Sequence, residues 1–580
     1  MEEPRPHYQK RTSTNSVRRP KLDKRKSAPI FRSISSSDVL YNRIPQDALA
    51  QLSGEEPGVN PWTMFLLTIC MAGVQFTWTV ELSYGTPFLL KLGLPKELTA
   101  LVWLAGPLSG LVVQPLIGAF SDKSTSRFGR RRPFIIAGGI LVITAMICVA
   151  FAREISAWSI GQKLHDIEQG DVSEGVRKQF RDTAILIAVF GFYFLDFSLN
   201  AVQASCRALI LDVPPLWQQG SGNAWAGNMN NIGMVLGYFV GFMDLVRFVP
   251  FLGNTQMKAL CSVASIVLGV TLGVTCISIH EKPYKLEEVD NRPWYYMLSY
   301  IWRALRYLPR PVQRLCNVQF FAWMGWFPFL FYATTWVAEI LSYSEPSDSP
   351  DFIDNATRAG SFALLCHAII SVAAIVMLPH LVPESRTSAS PFTMQNIYTA
   401  SHILFGAAML STFFVRTVQA ATAVIAVLGV AWGITMWVPF ALVGEFVSDE
   451  EVKLQEDEED EEAEARPLLA SLPPPPLPPP YNSISDTREN DQERRDEEFD
   501  AGMILGVHNM YIVFPQFAVA IIASLIFTIV GAAQGKGGEN GEPLRTNGGG
   551  VGWVLRFGGV MAFMAAFLSR YLIEMKLPRK

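Results

Sequence analysis

Four polar residues interrupt an apolar stretch at regular intervals: Asp196, Asn200, Gln203 and Arg207, at offsets 0, 4, 7 and 11. On an α-helix, at about 100° per residue, they project at about 0°, 40°, −20° and 20°, one narrow stripe. Charge and amide are costly in hydrocarbon, so the stripe must face a cavity, where such residues usually serve an ion or solute path. A carboxyl there can take up and release a proton. Amides both donate and accept, which suits the hydroxyls of a sugar. Asp196 and Arg207 stand about 16 Å apart along an ideal helix, so they do not neutralise each other directly, and each needs another partner or water.

Other apolar runs repeat the theme. Thr77, Glu81 and Tyr84 lie close to one helical face, as do Asn223 and Asn230, with Asn231 beside them, and Asn509 and Gln516. Helix–helix hydrogen bonding is an equally good use of any one such amide. Gln319, Trp323 and Trp326 fall on one stripe at offsets 0, 4 and 7, and Trp432 and Trp437 share a later run. An indole face packs well on the C–H face of a sugar ring. Trp323 also fits an interfacial anchor, so Trp326, deeper in its run, is the expected substrate contact. Asp212 and Glu445, near the ends of their runs, are expected in salt bridges of a gate.

The motifs of nucleotide-dependent and metal-dependent enzymes are missing. There is no dinucleotide-type glycine pattern and no pair of metal-binding histidines; Gly531 to Lys536 is one residue short of a phosphate loop and follows no strand. The seven cysteines lie in or at the edge of apolar runs without CxxC spacing, which reads as buried free thiols. No cofactor, metal or ATP chemistry is expected.

The elements that position these residues follow from composition. Half of the 580 residues are hydrophobic and 17% are charged, against about one quarter charged in soluble domains. The apolar residues gather into runs of about twenty, enough for a helix to cross a hydrocarbon core about 30 Å thick. Spans are expected at 62–90, 98–120, 134–152, 183–211, 222–243, 257–279, 317–342, 359–382, 396–416, 418–446, 501–531 and 552–574. The resulting division is a basic, disordered cytosolic tail (1–60), a six-helix half (61–279), a cytosolic bridge rich in Lys and Arg (280–316), spans seven to ten (317–446), a disordered acidic and proline-rich cytosolic loop (447–500) and the last two spans (501–575).

Lys and Arg near the membrane are retained inside, which places both termini in the cytosol. The segment 153–182 then lies outside despite its cations and is expected to form a small amphipathic cap. The same topology puts the sequon at Asn355 outside, as a candidate for glycosylation. The run Glu456 to Glu462 and the prolines Pro473 to Pro476 and Pro478 to Pro480 cannot build a packed core. They read as a solvated loop, or as a docking segment for a sorting or signalling partner; Glu464 with Leu468 and Leu469 fits an acidic dileucine pattern. Nothing in the charge distribution implies nucleic acid.

The loop after the second span reads Gly118-Ala-Phe-Ser-Asp122-Lys-Ser-Thr-Ser-Arg127-Phe-Gly129-Arg130-Arg131-Arg132-Pro133. It resembles the cytoplasmic loop motif of the major facilitator superfamily, in the form found among glycoside-pentoside-hexuronide:cation symporters. The Asp196 to Arg207 spacing is similar to the fourth helix of sucrose–proton symporters, and Glu81-Leu-Ser-Tyr84-Gly-Thr86-Pro87 resembles their animal and fungal branch. The chain looks closest to fungal sucrose or general α-glucoside permeases. It departs from the pattern at 383–395, which lacks a second Gly-Arg-Arg turn, and in its acidic insertion.

The resemblance implies an all-α major facilitator fold of twelve helices in two halves that alternate access to a site near the midplane. It implies proton-coupled symport of sucrose, maltose or a related α-glucoside, with Asp196 as proton site, Arg207 binding sugar or coordinating Asp196, and Glu81 as a further coupling group. Asn200, Gln203, Asn223, Asn230, Trp326 and Asn509 would line the substrate site. Asp122, Arg127, Gly129, Arg130 and Arg131 would latch the inner gate. Two other readings stay open: a membrane sugar sensor that binds without transporting, and a facilitator of another small polar solute. A plasma membrane location is expected, with a vacuolar or endosomal membrane as the alternative.

Overall fold

A computed structural model of the protein describes residues 58–122, 124, 126–215, 218–281, 310–345, 352–381, 392–442, 501–535 and 550–575. The expectations for the tail, the body of the central bridge, Glu445 and the acidic loop fall outside the described residues.

The fold is all-helical. We number its helices α1 (Pro61–Lys91), α2 (Lys96–Val102), α3 (Ala105–Asp122), α4 (Arg132–Ala150), α5 (Ala152–Ser159), α6 (Leu164–Gln169), α7 (Glu174–Asp212), α8 (Gln219–Phe242), α9 (Gln256–Ser278), α10 (Arg310–Leu341), α11 (Phe352–Met377), α12 (Met394–Ser411), α13 (Val418–Leu442), α14 (Ala501–Gly535) and α15 (Gly550–Ser569). Helix lies over every expected span. Nine stretches among the described residues are long and apolar enough to cross a membrane by composition. The helices α8, α10 and α12, which lie over the other three expected spans, are more polar, and the chain is an integral, multi-pass membrane protein.

Some boundaries depart from expectation for local reasons. The fourth span begins at Glu174, where Ser173 caps the helix by accepting from the Val176 N–H and an acidic first turn suits the helix dipole. Its 39 residues reach about 58 Å at 1.5 Å each, well past the hydrocarbon. The projecting part packs with α5 and α6 around Ala157, Ile167 and Phe180, so the segment after Arg153 does fold as a helical cap. The second span is broken between α2 and α3, and Trp103 sits in the break. Prolines lie inside α1 (Pro87), α10 (Pro328) and α14 (Pro515); each lacks the N–H that would bond the carbonyl four residues earlier.

Without a hydrophobic force between helices in lipid, close approach depends on small residues. Where α1 meets α8, a Cβ added at Gly233 would lie 2.3 Å from the Ala72 carbonyl oxygen. Gly233→Ala is therefore expected to push these helices apart and to cost about 1–3 kcal/mol, measured as a lower melting temperature and less folded protein in membranes; an unchanged melting temperature would show that the helices can separate freely.

The two halves touch through α2 on α14, α8 on α11 and α1 on α10. Ala100, Trp103, Met234 and Tyr238 of the first half share a core with Phe327, Phe331 and Trp336 of the second. The ion pairs between halves all gather, among the described residues, at the end of the bundle that carries Lys91: Lys91–Asp354 at 3.1 Å, Lys96–Glu339 at 2.6 Å and Arg358–Asp244 at 3.6 Å. Trp103 stacks on Phe331 there with ring centroids 4.4 Å apart, and Thr86 donates to the Phe331 carbonyl at 3.1 Å. At the opposite end, the described ion pairs join helices of the first half to one another.

Candidate functional site

The helical arithmetic of the fourth span holds, and it brings Asp196 against Glu81 of the first span. Both side chains are 2% exposed, and the two carboxyls interact directly. Glu81 Oε2 and Asp196 Oδ1 are buried without a hydrogen-bond donor. Neither carboxyl has a cationic partner among the described residues. Buried acceptors left unpaired cost about 1–3 kcal/mol each, more when charged. A proton held between the two carboxyls would give both an acceptor and a donor.

The third wall of this space is the second span, and the fourth comes from the other half. A Cβ added at Gly106 of α3 would stand 3.8 Å from Asp196 Oδ1 and 3.6 Å from Gln516 Oε1. Gly106 thus leaves the opening in which a first-half carboxyl and a second-half amide face the same small volume. One turn on, Gly110 does the same between Asn200 and Val513. Gln516 follows Pro515, the residue that interrupts α14.

Asn200 is used differently from the expectation. Its Nδ2 donates to Ser109 Oγ at 2.6 Å and to the Asp196 carbonyl at 3.0 Å, and its Oδ1 accepts from Gln114 at 2.7 Å. The amide ties the second span to the fourth and so fixes the backbone that carries Asp196. Gln203 is half-buried and Arg207 is exposed; Arg207 forms no ion pair among the described residues. The stripe therefore runs from a closed carboxyl pair to a guanidinium open to water, towards the end of the bundle that holds Asp212.

The other expected contacts are more scattered. Asn223 is exposed, while Asn230 is half-buried with its Oδ1 unpaired. Tyr84 donates to the Gly241 carbonyl and receives a 3.4 Å bond from Gln256, joining spans one, five and six. Trp326 is 1% exposed, enclosed by Phe329, Phe405, His367 and Trp432, and its indole N–H reaches Thr435 at 3.3 Å. It sits in the core of the second half. Trp323, one turn earlier, keeps an indole N–H without an acceptor. Asn509 lies on α14, but its side chain is outside the described residues. Asn355 is exposed in the first turn of α11, whereas Thr357 of its sequon is buried and bonded to the Ile353 carbonyl. The cysteines are free thiols, with Cys148 and Cys366 half-buried and the others buried.

The basic loop is clamped within the first half. Gly129 has φ +107°, a conformation that side chains rarely adopt. It turns the chain so that the N–H groups of Arg130, Arg131 and Arg132 all point at the Glu281 carboxylate, with the last two at 2.7 and 2.9 Å. Glu281 thereby caps the exposed N–H groups that open α4. Asp212 pairs with Arg130 at 2.7 Å and with Arg131 at 2.8 Å, in keeping with its expected salt-bridge role, although every partner belongs to its own half. Arg127 is exposed, and the Asp122 side chain is outside the described residues. Glu281, Gly106 and Gln114 were not singled out from sequence. A single acid between an apolar span and a basic bridge was the available signal for Glu281.

Helices of two halves meet across buried polar residues, and the proteins this chain is similar to are transporters. Residues 67–161 match the family model described as MFS/sugar transport protein. The general alpha-glucoside permease of Schizosaccharomyces pombe is 31% identical, over 89% of this chain and 94% of its own length. A sucrose transport protein of Oryza sativa subsp. japonica is 32% identical over 53% of this chain and 59% of that protein. The chain belongs to the MFS sugar transport family, in its glycoside-pentoside-hexuronide:cation symporter branch. At the level of fold it matches a D-xylose-proton symporter, with TM-score 0.51, 13% identity and coverage of 89% and 98%, and a nucleoside transporter, with TM-score 0.52, 10% identity and coverage of 88% and 100%.

Proposed function

We propose that the protein carries an α-glucoside such as sucrose or maltose across the membrane together with a proton, by alternating access between its halves. The observation that carries this reading is the Glu81–Asp196 pair, two buried carboxyls in mutual contact with an unpaired oxygen on each. A sugar sensor needs to bind its ligand but has no use for such a pair. In this account the end that holds Lys91 faces outward and is shut, so the coupling proton enters when those ion pairs open. With the coupling proton added to the one the pair already shares, both carboxyls are neutral and one can donate to a sugar hydroxyl. After the halves rock, water reaching the stripe from the Arg207 side takes the proton, and the sugar loses a donor.

Gln203, Asn223, Asn230 and Gln516 are proposed to supply further hydrogen bonds to the sugar, Trp326 to support the wall behind it, and Asn200 to hold the site's frame. The Gly129–Arg131 turn acts as an inner brace. The plasma membrane is the proposed location, and the acidic loop is proposed as a docking segment for sorting partners.

Uptake of labelled sucrose and maltose, by cells without other sugar carriers, tests the reading. Accumulation above the external concentration is expected, and an uncoupler should abolish it. Equilibration unaffected by the uncoupler would make the protein a facilitator; binding without uptake would make it a sensor. Arg207→Lys is expected to lower uptake and binding alike by about tenfold or more, because a compact ammonium cannot reproduce the planar fork. Full binding by Arg207→Lys would restrict Arg207 to the proton path.

A further inference from the structure

A second set of charges, partly buried, lies apart from the carboxyl pair, at the shut end of the bundle. Glu339, near the end of α10, bonds Lys96 of the other half through Oε1 at 2.6 Å. Its other oxygen, Oε2, is buried without a partner. The carboxylate lies close to the Val551 backbone in the first turn of α15, a favourable place for negative charge.

On the next turn of α15 lies Arg556, 3% exposed in an apolar run of the last span. Its Nε and one terminal nitrogen reach Thr412 at 3.3 Å, and its guanidinium covers the Phe413 ring at 3.7 Å. The other terminal nitrogen, Nη1, has no acceptor. A Cβ at Gly552 would lie 3.4–3.6 Å from this guanidinium, so the guanidinium lies beside the residue that follows Val551. Each group acts electrostatically on the other without bonding to it.

A buried charge with hydrogen-bonding capacity unused is expensive, and here two of opposite sign, each with an unpartnered buried atom, lie within electrostatic reach of each other. We propose that Glu339 changes partner during transport: Lys96 holds it while the outer face is shut, and Arg556 takes it when the halves part there. Arg556 is in this sense a positioning residue, which keeps Glu339 from being stranded as a bare buried carboxylate when Lys96 leaves with its half. The inference rests on the alternating-access reading above, and it places the switch in the second half, with Lys96 as the only component that moves away.

Removing either cation should bias the equilibrium in opposite directions. A cysteine at Ala100, buried where α2 meets α14, reports opening when labelled by a membrane-impermeant maleimide from outside, in a chain without its native cysteines. Lys96→Met is expected to raise the labelling rate about fivefold or more, and Arg556→Met to lower it by a similar factor. In a Glu339→Gln background both substitutions should have little effect. Equal shifts in the same direction, or no response to Arg556→Met at normal surface level, would overturn the exchange. Labelling does not depend on which solute is carried, so failed sugar uptake with opposite shifts would reject the sugar assignment and leave the switch standing. Arg556→Lys, which keeps the charge, should restore most of the wild-type rate and guards against reading a folding defect as a bias.

Discussion

Asp196→Asn is expected to yield a protein that still exchanges sugar across the membrane but accumulates none of it. Asparagine has nearly the shape of aspartate, and its amide can donate to the unpaired Oε2 of Glu81, so the contact between the first and fourth spans survives. What is lost is titration. Without it the inward and outward protonation states no longer differ at this residue, and the internal concentration should settle at the external one. Exchange of labelled for unlabelled sugar, which needs no net proton movement, should persist within about threefold of wild type. Glu81→Gln should give the same separation of exchange from accumulation if the pair works as a unit. Uphill accumulation by Asp196→Asn at normal surface level would take the proton away from this residue.

The second large effect is on stability. Glu281→Ala should cost about 3 kcal/mol, since it strands three backbone N–H groups at the start of α4 and removes the buried partner of Arg132. The Glu281 side chain is only 5% exposed, so water cannot easily replace the carboxylate. Glu281→Gln keeps an acceptor and should cost less than half as much. Thermal unfolding of the purified protein in detergent measures both; a melting temperature unchanged by Glu281→Ala would show the cap to be dispensable. The Asp212 pairs with Arg130 and Arg131 are separate and should survive.

Much of the architecture was legible because lipid leaves few choices. Every backbone group in the hydrocarbon must be bonded internally, so apolar runs of the right length have to be helices, and all the expected spans were found as such. The stripe of the fourth span was legible because helical geometry fixes which residues share a face. Pairing across helices was not. The contact of Asp196 with Glu81 depends on packing of α1 against α7, and the share of Asn200 between Ser109 and Gln114 depends on a close approach that Gly106 and Gly110 permit. No spacing within one segment encodes either. The same limit explains Trp326: its position in the run was right for depth, but the ring points into the second half's own core. Arg556 was detectable, as a lone cation within an apolar run, and Glu339 less so, because it stands near a span end where charge is common.

The most direct test of the central claim follows protons instead of sugar. Purified protein in liposomes with an internal pH dye, given an α-glucoside outside and no pH gradient, should acidify the interior as sugar enters. Asp196→Asn and Glu81→Gln should each show no sugar-dependent acidification while still exchanging labelled sugar. Sugar-driven acidification that persists in both variants would contradict the account, since it would place the coupling proton outside the buried carboxyl pair.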